Sequence, residues 1–409
     1  MFNILKIYNK IVVVFSVLYL LLAFYYLSHP QVVLTHYHNS EITYLKARDM
    51  QRGDHQWGLF FDGPDHRTPR YEFHMPEGPT YVMAAWMKLG LPVKAYKIVP
   101  VCTSLLAHIV FLLALLYHFG PKVSPEKIAL LFSWIAFQPM IVAWSSAVDD
   151  GSFNISLMVL LASAALFQWK GRWWGYLLLG FLLGCQEFYR QPMMLLFLWF
   201  VEFIMASQQQ PKTPKALWGS FLWASLAGVG VVLGLLAHIG QLALVWGSWS
   251  DAWNEMAGAA LGRASIQNEL NPAFFQEKLT DQITAGAPTE WVRLKTICKI
   301  FFGVFWYDRG RQHLWPVVFV AGLIWFYYEN AMKPQTLKSP TQDSFKLFAL
   351  NSLFSTWAWT VGAFLFLIPN IWTLMMPNHA SVHYYYIARD YSGWCWAVGI
   401  LLLAQKSFK

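Results

Sequence analysis

Residues 98–118 read IVPVCTSLLAHIVFLLALLYH, an unbroken stretch without one Asp, Glu, Lys or Arg. As a helix it rises about 30 Å, the thickness of a bilayer's hydrocarbon core, so its expected state is a transmembrane span. Similar apolar runs lie near residues 11–27, 128–146, 152–168, 174–188, 191–206, 218–245, 313–329, 347–369 and 391–405. With 98–118 they make about ten helices, and the expected fold is an all-α polytopic integral membrane protein. The run 218–245 allows one long tilted helix or a helix with a broken end. The first run is followed by Phe24, Tyr25 and Tyr26 rather than by a small-residue cleavage site, so it reads as a retained anchor. The short apolar stretch near 298–312 reads as interfacial or re-entrant, because it is too short to span.

The composition points the same way. Of 409 residues, 56% are hydrophobic and only 13% charged, where soluble chains carry about 25% charge. Mean hydropathy is +0.38. That charge cannot solubilise two or three domains, which excludes an ordinary soluble enzyme as well as a disordered chain. The formal charge of +8, from 30 basic and 22 acidic residues, is read as membrane topology and not as a nucleic-acid surface. Cys102, Cys185, Cys298 and Cys395 lie in or beside apolar runs with no paired spacing, implying neither a disulfide nor a zinc site.

Basic residues orient the chain. With the N-terminus in the cytoplasm, the inner segments hold Lys6, Lys10, Lys122, Lys127, Lys170, Arg172, Lys212, Lys215, Lys333, Lys338, Lys346, Lys406 and Lys409, thirteen in all. The short outer loops hold only Arg190 and Arg389. This asymmetry places both termini in the cytoplasm. Two long loops, about 28–97 and 246–312, then lie outside, and chemistry is expected there, because the inner loops are too short to build a site. The chain reads as one transmembrane module, 1–409, with no soluble domain or internal repeat.

Several outer-face residues can do chemistry. In the first loop, Ser40 at a cap position followed by Ile42, Leu45 and Met50 suggests a short interfacial helix. Lys46, Arg48 and Asp49 would face away from the membrane, and Glu41 would sit in the first turn, favoured by the helix dipole. Further on, FFDGPDHRTPRYEFHMPEGPTY (60–81) gathers Asp62, Asp65, His66, Arg67, Arg70, Glu72, His74 and Glu77. A loop this rich in Gly, Pro and mixed charge can cradle an anionic or sugar ligand. Asp62, Asp65 and His66 match no metal motif, so no metal is assigned. Asp149 and Asp150 stand together at the mouth of the fourth span; a helix cap accounts for one of them better than for both. Glu187 and Arg190 follow the fifth span, and a guanidinium there suits a phosphate as well as it suits an ion pair. Before the last span come His379, His383, Tyr384, Tyr385, Tyr386 and Arg389.

SEITYLKARDM (40–50), HMPEGPTYVMAAWMKLG (74–90), SAVDDGSFNISLMVLL (146–161) and HYYYIARD (383–390) occur in this order on one side. In this the chain resembles the GT-C polyprenyl-phosphate-sugar glycosyltransferases, in the branch of the protein O-mannosyltransferases and lipid A aminoarabinose transferases. The resemblance covers about residues 1–210 and then the late element. Ser40 stands where the family has its first acid, leaving Glu41, and His74-Met75-Pro76 replaces His-Pro-Pro, which marks a divergent branch.

The resemblance implies an enzyme of the bacterial cytoplasmic membrane, acting on its outer face without a required cofactor. Its partners would be a polyprenyl-phosphate-linked sugar, a hydroxyl acceptor and the bilayer. Glu41 would be the base, with Asp149 or Asp150 as alternative or partner. Arg190 and Arg389 would hold the phosphate, and His74, His383 and Tyr385 would line the sugar pocket. The competing class is a lipid or glycolipid transporter, which places charged residues within its spans. Here Glu202 stands near an inner end, and His108 and His238 read as packed histidines.

Overall fold

The computed structural model describes residues 2–28, 37–53, 59–62, 68–71, 77–121, 124–137, 142, 153–186, 191–209, 214–254, 256, 306–307 and 310–311. This part is helical apart from two small hairpins: α1 Phe2–Ser28, α2 Tyr37–Arg52, α3 Gly78–Lys88, α4 Ile98–Phe119, α5 Pro125–Ala136, α6 Asn154–Phe167, α7 Arg172–Gly184, α8 Gln191–Gln209 and α9 Pro214–Trp246. Three stretches are long and apolar enough to cross a membrane: Ile7–Tyr25, Val93–Phe119 and Trp218–Val245. The chain is a helical membrane protein. The runs at 313–329, 347–369 and 391–405 lie outside the described residues.

Helix α1 buries one stripe, Phe15, Tyr19 and Ala23, at the four-residue spacing of one helix face. Val13, Val14, Val17, Leu21 and Phe24 are apolar and exposed, a surface stable in lipid and costly in water. The Tyr8 hydroxyl donates to the Leu116 carbonyl at 3.1 Å, and the Tyr19 and Ser104 hydroxyls lie 2.7 Å apart. Rising numbers in α1 thus meet falling numbers in α4, so the two helices are antiparallel. Tyr19 and Ser104 continue to His108, whose Nδ1 lies 2.7 Å from the Ser104 carbonyl oxygen and whose ring packs beside Tyr19 and Phe132. His108 is a packed histidine, as its isolation in an apolar run suggested.

Helix α9 is one continuous helix of 33 residues, which decides between the two readings of 218–245. Proline opens it, and Gly247, at φ +70°, ends it in the left-handed region. It packs on α7 through small residues. A Cβ on Gly180 would collide with the Ala227 carbonyl oxygen, and one on Gly184 with that of Val231. On the other side, Gly230 lies against Leu177 and Gly234 against Phe181. Numbers rise together, so α7 and α9 run parallel at a separation only glycine allows, the device by which helices associate in lipid, where apolar burial gives no drive. Helix α8 runs back beside α9: Arg172 at the start of α7 meets Glu202 late in α8, Nε to Oε1 3.0 Å. The Tyr176 hydroxyl donates to the same oxygen, and the Arg172 guanidinium lies 3.8 Å from the centre of the Trp223 ring.

Candidate functional site

The segment between α1 and α4 builds a small unit. Leu59–Asp62 pairs antiparallel with Thr68–Tyr71, Leu59 opposite Tyr71 and Asp62 opposite Thr68. Helices α2 and α3 pack on each other, and the first strand packs on α2. Ala47, Met83 and Tyr96 form its apolar centre, and the Tyr96 hydroxyl bonds the Pro79 carbonyl at 3.4 Å.

Two expectations for α2 are corrected here. The helix begins at Tyr37 and not at Ser40, so Glu41 lies beyond the first turn, which holds no acid, and the dipole argument for it falls. Lys46, Arg48 and Asp49 do not face solvent; they are 2%, 7% and 2% exposed. The reason is tertiary. With α3 and the hairpin against it, α2 has little free face, and its charges are matched inside the protein. Lys46 Nζ lies 3.6 Å from Glu77 Oε1, and Arg48 donates through Nε and Nη2 to Asp49 Oδ1 at 3.0 and 2.8 Å. Thr43 and Thr80 are buried too.

This nest of charge touches the far end of α7. The Gly78 N–H donates to the Cys185 carbonyl at 3.1 Å. A Cβ at Gly78 would fall on that oxygen and 2.8 Å from Gln186 Nε2, so only glycine fits. Burial, then the nearby Glu77 carboxylate and Cys185, push the Tyr81 phenol above its ordinary value. Two segments a hundred residues apart are therefore joined: α2, which carries Glu41, with α3, which follows His74; and the end of α7, which precedes Glu187 and Arg190.

Of the residues singled out from the sequence, Glu41 is described by its backbone, on α2. His74, Asp149, Asp150, Arg190, His383, Tyr385 and Arg389 lie outside the described residues, as do Asp65, His66, Glu187 and His379. The sequence reading gave no role to Lys46, Arg48, Asp49 or Gln186, and it left Glu77 among many charges in a polar loop. The signal available was the lone acid two residues ahead of α3's Pro79, with a lysine on the preceding helix. Among the described residues no group of three or more His, Cys, Asp and Glu side chains could hold a metal ion. The described geometry offers a water-poor, charge-balanced wall at one end of the bundle, where electrostatic interactions are stronger than in water. No family model matches the chain, and neither a curated protein nor a solved structure is similar to it.

Proposed function

We propose that the protein is a multi-pass glycosyltransferase of about ten spans, in the bacterial cytoplasmic membrane. Its termini are cytoplasmic, its site faces outward, and it moves a sugar from a polyprenyl phosphate to a hydroxyl acceptor. The observation that carries this is the junction of α2–α3 with the end of α7, through the Gly78–Cys185 bond and the buried Lys46–Glu77 pair. It joins the helix bearing Glu41 to the segment leading into Arg190, two stretches such a reaction needs on one side.

The step is a single inverting displacement. The acceptor oxygen attacks the anomeric carbon opposite the phosphate while a carboxylate takes the hydroxyl proton. The bond from carbon to phosphate oxygen breaks, and polyprenyl phosphate departs with its electron pair, its charge met by Arg190 and Arg389. Glu41 is the first-choice base, with Asp149 or Asp150 as alternative or partner; His74, His383 and Tyr385 line the sugar pocket. No cofactor enters the balance.

A transporter is the second reading, favoured by the Arg172–Glu202 pair buried within the bundle. The full chain in vesicles, given a polyprenyl-phosphate sugar and a hydroxyl acceptor, is expected to yield glycosylated acceptor and free polyprenyl phosphate. Intact sugar-lipid crossing between leaflets, with no phosphate released, would reverse the assignment.

A further inference from the structure

Helices α6 and α7 are short for a membrane. Their 14 and 13 residues rise about 20 Å each, against a core of about 30 Å. The tight turn between them, with Gln168 in the left-handed region, makes them antiparallel. The start of α6 and the end of α7 therefore share one end of the bundle, the end where Gly78 meets Cys185. At the opposite end Trp169 and Trp174 are exposed beside Lys170, the signature of an interface. Counted from that interface, a rise of about 20 Å is about 10 Å less than the hydrocarbon core.

Polar groups without partners occur at these helix ends. Asn154, wholly buried, finds no hydrogen bond for Nδ2 or Oδ1 among the described residues. Neither does Ser156 Oγ, nor Gln186 Oε1, both on buried residues. Three other buried or half-buried hydroxyls in this bundle are satisfied by the carbonyl four residues earlier: Ser16 by Val12, Thr103 by Val99, Ser163 by Val159. For Ser156, in the first turn of α6, position 152 lies outside the described residues, and the Phe153 cap offers no side-chain bond. Trp199 Nε1, on α8 packed against α6, also lacks an acceptor. Each such group away from water costs about 1–3 kcal/mol unless something polar meets it.

We propose that the shared end of α6 and α7 is a hydroxyl-binding subsite, formed by Asn154, Ser156 and Gln186, for the sugar headgroup of a membrane lipid. The chemistry selects that ligand. Carboxamides and a hydroxyl offer both donors and acceptors without charge, the complement of neighbouring sugar hydroxyls. A phosphate would meet the two carboxamide oxygens and, in sequence, Asp149 and Asp150; an acyl chain would leave every group unsatisfied. The subsite rests on the glycosyl-transfer reading only in taking the sugar to be carried by a polyprenyl phosphate.

Thermal unfolding of the purified full chain tests it. The probes are polyprenyl phosphates bearing mannose, glucose or arabinose, the same carrier without sugar, and glucosyl diacylglycerol beside plain diacylglycerol. At least one sugar-bearing polyprenyl phosphate is expected to raise the midpoint about 5 °C above its bare carrier at saturation. Asn154→Leu and the milder Ser156→Ala and Gln186→Met should unfold no earlier than the parent without ligand, because each removes an unsatisfied group, and should lose the sugar's increment while keeping that of the carrier. Variants that retain the increment overturn the subsite, as does a parent that no sugar lipid stabilises beyond its carrier. Stabilisation by glucosyl diacylglycerol alone, lost in the variants, upholds the subsite and removes the polyprenyl-phosphate donor.

Discussion

Glu41→Gln lowers sugar transfer from a polyprenyl-phosphate donor by on the order of a hundredfold or more, with insertion and folding unchanged. The variant keeps the side chain's shape and removes only its ability to take a proton. Because α2 starts at Tyr37, Glu41 is not in the first turn, so neutralising it forfeits no dipole or capping energy. Lost activity therefore reports chemistry. Asp150→Asn is expected to act in the same direction. The measurement is initial-rate transfer by the purified chain in lipid, and full turnover by the double variant Glu41→Gln/Asp150→Asn would remove both acids from the reaction.

Lys46→Met destabilises the protein by about 3–5 kcal/mol, because it takes an ion-pair partner from the Glu77 carboxylate in a site with almost no water. Lys46 and Glu77 are 2% and 3% exposed, so solvent cannot replace the lost partner. Replacing both, Lys46→Met/Glu77→Leu, restores most of the loss: a buried pair gains little over apolar side chains of similar volume, and its value lies in not being broken. Unfolding of the purified chain, compared across the parent, both single variants and the double, reads this directly. A single variant as stable as the parent would mean the pair is hydrated.

The spans were legible where length and absence of charge suffice. IVPVCTSLLAHIVFLLALLYH and the run ending at Trp246 form helices because nothing else satisfies a backbone in lipid. The burial of Lys46, Arg48 and Asp49 was not legible. On α2 alone these residues make a polar face, and water is its obvious partner; what covers them is α3, some thirty residues on. The glycine contact between α7 and α9 was missed for a related reason, since counting apolar runs treats Gly180, Gly184, Gly230 and Gly234 as neutral filler. In α2–α3, the sequence marked Glu41's helix, while the pairing of that helix's other charges came from tertiary packing.

The stretches around residues 40 and 150 are expected on one side of the bilayer, opposite Lys170. With Cys102, Cys185, Cys298 and Cys395 replaced by alanine, Ser40→Cys, Asp150→Cys and Lys170→Cys are each treated in intact cells with a membrane-impermeant thiol reagent. Labelling at 40 and 150 without permeabilisation, and at 170 only after it, is the expected result. Labelling of 40 and 150 from opposite sides would contradict the account.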